Sequence, residues 1–215
     1  MQRFLLQENI ARYERFLKME TVERSRQSLW RMLQEARRDL ALLEAATFGV
    51  QAGFLPFGTA PHNMPQAPAM QGAFRDEFEA SSQLQLLIDP RAGLRIIDAN
   101  EAYRAATLTG TEICGNPMFE VFPDNPDDPT ADGVSNLFSS LRNTALLGQP
   151  QTMRIQRYDV RNAEGVFVER YWRPVNTPIF DAGRLIYLLH SVQDVTEEVL
   201  AARVPAPRRL ELSGG

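Results

Sequence analysis

The sequence predicts an α+β domain preceded by an α-helical hairpin or coiled coil. Three observations carry this. Residues 1–46 contain neither proline nor glycine and repeat apolar side chains at helical spacing. From Leu84 onward, short runs of bulky residues alternate with turn residues and helix-forming stretches. The last of these runs, Leu185–Val195, reads as a buried strand that turns at Asp194 directly into a helix.

Within residues 1–46, Ile10, Tyr13 and Leu17 form one stripe. After Met19–Glu23 a second runs through Leu29, Leu33, Ala36, Leu40 and Leu43. Its alternating steps of four and three are those of a heptad seam. Arg31, Arg37, Arg38, Glu35 and Asp39 occupy the solvated side. A helix this short is marginal alone in water, so the stripe needs burial. Leu29, Leu33, Leu40 and Leu43 are the expected dimerisation seam, unless the hairpin closes on itself. Residues 47–80 change to a Pro/Gly/Met-rich linker, in which Phe74–Glu79 is a helix-like piece able to dock on the α+β domain.

Residues 81–200 carry the α+β pattern. Leu84–Asp89 and Leu94–Asp98 form a hairpin around Pro90–Gly93, and Asn100 caps a helix over Glu101–Ala106. Short turns and helices fill Thr109–Pro129. Asp132–Leu147 is a longer helix burying Val134, Leu137, Phe138, Leu141 and Ala145. Strands occupy Met153–Val160, Phe167–Ile179 and Leu185–Val195. Thr196 is placed to cap the next helix with its hydroxyl. Pro174 and Pro178 lack an N–H, which predicts a bulge or early ladder loss beside them. Residues 201–215 are a flexible tail, interrupted by Pro205 and Pro207.

Composition bounds the function. At 44% hydrophobic and 23% charged residues the chain is that of a globular protein. No apolar run nears the roughly 20 residues of a membrane span and no signal-peptide core opens the chain, so no membrane insertion and a cytoplasmic location are expected. Cys114 stands alone, and the two histidines, His62 and His190, have no metal-ligand spacing. Residues 81–200 carry 10 basic and 16 acidic side chains, which argues against nucleic acid. Asp124, Asp127, Asp128 and Asp132 read as acidic loop decoration rather than a cation site, because their spacing is not that of a calcium loop.

The order of elements, with Gly115–Pro129, Tyr171–Pro178 and Asp194–Glu197, resembles PAS domains of bacterial sensor proteins over residues 84–200. The N-terminal hairpin resembles segments preceding such domains. The resemblance implies a five-stranded antiparallel sheet with helices on one face, enclosing a small cavity. It also implies use as a sensory or interaction module, usually dimeric. In many relatives the terminal helix continues into a histidine kinase. Here no ATP-binding segment or phospho-acceptor histidine is present, so output is expected through another molecule. In the light-sensing branch the flavin-reactive thiol position falls on Met118, not Cys114. Haem-binding relatives use a histidine on the long helix, which has none here. Neither flavin nor haem is therefore supported, and no cofactor is required.

Phe119, Tyr158, Tyr171, Trp172, Asn176 and His190 are the ligand-pocket candidates, a set that ordinary core packing also accommodates. Adjacent residues point to opposite faces, which leaves open whether Tyr171 or Trp172 faces inward. Asp194 and Thr196 are the signalling junction, with helix capping as the alternative role. With no nucleophile–base pair or phosphate loop, the expected function is that of a non-enzymatic bacterial signalling protein. It forms a homodimer and modulates a sensor kinase, response regulator or scaffold in trans. The alternative is a receptor for haem, flavin or a metabolite.

Overall fold

The computed structural model describes residues 1–50, 72–162 and 164–203. Helices α1 (Gln2–Met19) and α2 (Glu23–Phe48) form an antiparallel hairpin within one chain. The break between them has a local cause. The Glu20 carboxylate accepts the N–H groups of Thr21 and Val22 at 2.9 and 2.8 Å, while Arg26 donates to the carbonyls of Leu17 and Glu20, both at 3.0 Å. Free donors at the start of α2 and free acceptors at the end of α1 are thereby satisfied. In α2, Leu33 is 2% exposed and Ala36 is buried, while Leu29, Leu40 and Leu43 are half-buried. Leu33 and Ala36 are thus covered within one chain, while Leu29, Leu40 and Leu43 keep part of their surface exposed.

The other side of α2 packs on helix α6 (Gly133–Leu147), with Ala41 and Ala45 entering the main core. Glu44 is buried and takes Arg3 from α1 at 2.7 Å and Arg142 from α6 at 3.0 Å, so one carboxylate ties three helices together. Beyond α2 the chain docks on the turn between the first two strands. Val50 donates to the Pro90 carbonyl at 3.0 Å, and Gly93 donates to the Ala45 carbonyl at 2.8 Å. Gly49 makes this approach possible: its φ is +63°, and a Cβ there would lie 2.3 Å from the Arg91 carbonyl oxygen. Thr47 and Phe48 thus belong to α2, and Gly49 and Val50 form the turn that docks its end. Of the anticipated linker, residues 51–71 lie outside the described residues, as does the tail beyond Arg203.

Helix α3 (Ala73–Ala80), anticipated as a docking piece, lies against the sheet. Phe78 packs with Leu87 and Tyr187 on the face opposite the main core. Next come strands β1 (Leu84–Ile88) and β2 (Ile96–Ala99). The turn is longer than expected because Asp89 folds back on Arg91 and Leu94 adopts a φ of +42°, so β2 starts two residues late. Helix α4 (Glu101–Thr107) starts at Asn100, whose side chain accepts from Tyr103 N–H at 3.0 Å. The same fully buried amide accepts from Gln85 N–H and donates to the carbonyls of Ser81 and Gln83. It therefore joins α4, β1 and the end of α3.

A 3-10 turn at Thr111–Ile113 and the short α5 (Met118–Val121) lead to α6. Asp132 makes no side-chain cap there. Asp124 does so from the preceding loop, accepting from Val134 N–H at 3.0 Å. The expected strand Met153–Val160 is three pieces, β3 (Gln151–Thr152), β4 (Gln156–Arg157) and β5 (Val160–Arg161). The next divides into β6 (Phe167–Val168) and β7 (Tyr171–Asp181), before β8 (Arg184–Asp194). The sheet order is β2-β1-β8-β7-β3, with β4 also on β7 and β5-β6 as a separate ribbon. All pairings are antiparallel, so the fifth strand of the expected sheet is present in segments.

The prolines account for part of that fragmentation. Pro174 accepts from Met153 N–H at 2.9 Å, so its nitrogen also faces the β3/β4 edge. The register slips by one residue between Thr152 and Gln156, directly opposite. Toward β8 the ladder passes both prolines unbroken, and its irregularity comes at Ile179/Phe180. The expected irregularity thus lies opposite Pro174 on the β3/β4 edge and one residue past Pro178 on the β8 edge.

Candidate functional site

The inner sheet face, α4, α5 and α6 surround a cavity of about 50 Å³. That is well below the roughly 300 Å³ at which sites for drug-sized molecules begin. Of the six sequence candidates, Tyr158, Trp172 and His190 form part of its wall. Strand alternation puts Trp172, Pro174 and Asn176 on one face of β7, and Trp172 belongs to the main core. Trp172, not Tyr171, is therefore the inward residue. Tyr171 points the other way, its hydroxyl donating to Glu169 with the Arg203 guanidinium 4.8 Å above its ring. Phe119 is a core residue outside the wall.

Asn176 sits behind the wall, fully buried. Its Nδ2 donates to Ser140 Oγ at 2.8 Å and lies 3.6 Å from Met153 sulfur, while its Oδ1 lies 2.7 Å from His190 Nδ1. With the amide hydrogens spent on two acceptors, His190 Nδ1 carries the proton and Nε2 is left as a lone pair. His190 is 5% exposed, and burial pushes its pKa down to about 4. The imidazole is neutral at ordinary pH.

The rest of the wall escaped the sequence reading. Tyr103 and Thr107 come from α4, Met118 from α5, and Gly133 and Leu137 from α6. Helical spacing marks such residues as inward but does not say which border a void. Gly133 is small for a reason: a Cβ there would fall 2.3 Å from the Tyr158 ring. Tyr158 donates its hydroxyl to the Phe122 carbonyl at 2.5 Å, and Trp172 Nε1 donates to the Tyr158 carbonyl at 2.8 Å. Burial raises the pKa of both Tyr103 and Tyr158, so both phenols stay neutral.

The second candidate is the junction of β8 with α7 (Thr196–Arg203). Sequence reasoning gave the cap to the Thr196 hydroxyl. Instead Asp194 Oδ1 accepts from Thr196 N–H at 2.9 Å, and the Thr196 hydroxyl accepts from Tyr171 N–H at 3.0 Å. The cause is the ladder itself: Val195 N–H already bonds the Tyr171 carbonyl at 2.9 Å, so the threonine completes one more rung. Ion pairs flank the junction, Arg170–Asp194 at 3.5 Å, Arg173–Glu198 at 3.1 Å and Arg203–Glu169 at 3.0 Å.

In the acidic loop, Asp124 is occupied by Val134, and Asp128 by Thr130 and Arg157. Burial raises the Asp124 pKa. Cys114 is half-buried, and burial raises its thiol pKa. No helix among the described residues is long and apolar enough to cross a membrane.

A family model described as PAS fold matches residues 78–200. The chain belongs to the PAS family. PAS domains are sensory modules, and the cavity and the exit of β8 lie within the matched span. Among solved structures, a light-oxygen-voltage domain studied with a flavin analogue is 17% identical, over 63% of this chain and 93% of that one, with a TM-score of 0.45. A PAS domain from Colwellia psychrerythraea is 15% identical, over 57% and 94%, with a TM-score of 0.44. An RNA-binding light-oxygen-voltage receptor is 17% identical, over 80% and 45%, with a TM-score of 0.44. No curated protein matches the chain.

Proposed function

We propose that this PAS chain is a non-enzymatic sensory module of the bacterial cytoplasm. A change at the core cavity passes along β8 into α7 and is read by a separate protein, a sensor kinase, response regulator or scaffold. One observation carries the reading. The strand that supplies His190 and Val192 to the cavity wall also supplies the Asp194 carboxylate that caps α7.

Energetics favour a movable output. Within α7 only Thr196 is buried, and its ion pairs are exposed ones, each worth at most about 1 kcal/mol. Such a helix belongs to the low-stability end of a domain, where a small bias shifts its position. Self-association belongs to the same reading. Its support is the apolar surface left on the hairpin, where Phe16, Met19 and Met32 are 46%, 70% and 45% exposed.

The test is capture of proteins from the source cell on the immobilised full chain, compared with Asp194→Ala. A protein retained by the native chain and lost from a folded Asp194→Ala variant supports the reading. Identical capture by both removes the junction from the mechanism.

A further inference from the structure

We infer that the core cavity receives a compact, uncharged molecule that donates an N–H or O–H hydrogen bond to His190 Nε2, with the Tyr103 hydroxyl as its second polar contact. The inference rests on the sensory reading above and names the chemistry of its input.

The wall decides the charge. Its polar residues are Tyr103, Thr107, Gln156, Tyr158, Trp172 and His190, with no Asp, Glu, Lys or Arg. An ion brought here would lose its hydration without a counter-charge in the wall, at a cost far above one hydrogen bond. Most of these polar groups are already engaged. Thr107 Oγ1 bonds the Tyr103 carbonyl, and Gln156 is taken by Asn136 and by the Arg154 and Ile155 carbonyls. Tyr158 and Trp172 spend their donors on backbone carbonyls.

Of the wall's own polar groups, His190 Nε2 and the Tyr103 hydroxyl make no hydrogen bond to a described residue, and although both residues are 5% exposed, neither atom is fully enclosed. Each keeps surface open to an occupant, and a hydrogen bond made there contributes about 1 kcal/mol, so these two set the polar chemistry of the cavity. The imidazole is held neutral by burial and its tautomer is set by Asn176, so it offers an acceptor only. An occupant must bring the hydrogen.

Size sets the next limit. A volume of about 50 Å³ accommodates about four water-sized spheres, which suits a single small ring or a short amide. The remaining wall, with Met118, Phe122, Leu137 and Val192, is apolar and matches such a body. Binding has a route outward. His190 is four residues before Asp194 on β8, and Asn176 links it to Ser140 on α6, the helix that carries the hairpin.

The experiment uses the full chain and two probes of one shape, pyrazole, which has an N–H, and furan, which has none. Titration is followed by side-chain nitrogen NMR of His190. Pyrazole is expected to bind about tenfold more tightly than furan, the value of one hydrogen bond, and to shift the Nε2 resonance where furan does not. Tyr103→Phe should weaken pyrazole while leaving furan unchanged. Equal affinity for the two probes, binding of neither, or an Nε2 resonance that ignores pyrazole would overturn the inference; the last two leave water as the occupant. Failure here leaves the Asp194 capture experiment standing. Pyrazole binding with capture unaltered by Asp194→Ala would instead retain the ligand class and remove the output.

Discussion

Acidification should destabilise this protein through His190. In the fold its pKa is about 4, against 6.5 for an unperturbed histidine. Above pH 6.5 both folded and unfolded imidazoles are neutral, and the contribution to stability is complete. As pH falls below that value the unfolded chain takes up a proton that the fold refuses, so stability declines until about pH 4. The whole interval corresponds to about 3 kcal/mol, and the step from about pH 7 to about pH 5 to about 2 kcal/mol. A domain of this size holds roughly 5–15 kcal/mol in total.

The assay is urea unfolding across that range, in a His62→Asn background so that His190 is the only titrating imidazole. Asp124 opposes the trend, because its raised pKa lets the fold hold a proton more tightly than the unfolded chain. The comparison is therefore with His190→Leu, which keeps Asp124. The native sequence should lose about 2 kcal/mol that the leucine variant does not. The same pH slope in both proteins would refute the account of His190 as a buried neutral acceptor.

Three further predictions concern the hairpin. Leu33→Arg places a charge at a position 2% exposed and should cost several kcal/mol with no change in subunit number by light scattering, whereas Met19→Arg with Met32→Arg should leave the melting temperature unchanged and yield monomers. Glu44→Ala leaves two arginines that are 44% and 38% exposed and able to rehydrate, so the loss should be about 1–3 kcal/mol, read as earlier proteolysis of α1 rather than collapse of the sheet.

Much of this architecture was legible from residue pattern. Period and turn chemistry located α1, α2, α6 and the long strand pair, and Asn100 was recognisable as a cap from its place before a helix. Its other role, joining β1 and the end of α3, depends on chain segments meeting in space, which one position's chemistry does not announce. The fragmented β3–β5 edge was half legible. Pro174 warned of a missing donor, but which neighbour loses the bond depends on which side its nitrogen faces.

The cavity was the least legible part. Tyr158, Trp172 and His190 were found as aromatic or polar residues on strands. Phe119 and Tyr171 have the same chemistry and lie elsewhere, because residue type does not encode whether a side chain borders space or another side chain. Tyr103 and Gly133 were missed for the converse reason. A tyrosine after a cap and a glycine at a helix start are both ordinary until the rings that oppose them, Phe122 and Tyr158, are in place.

The central claim is that cavity, β8 and α7 respond as one. Amide hydrogen exchange of residues 197–203 tests it most directly, measured in the native chain, in His190→Leu, and in His190→Leu with Asp194→Ala. The account predicts that altering His190 changes protection in α7 and that removing the Asp194 carboxylate erases the difference. Exchange in α7 that stays constant while amides of β8 around His190 change would contradict it.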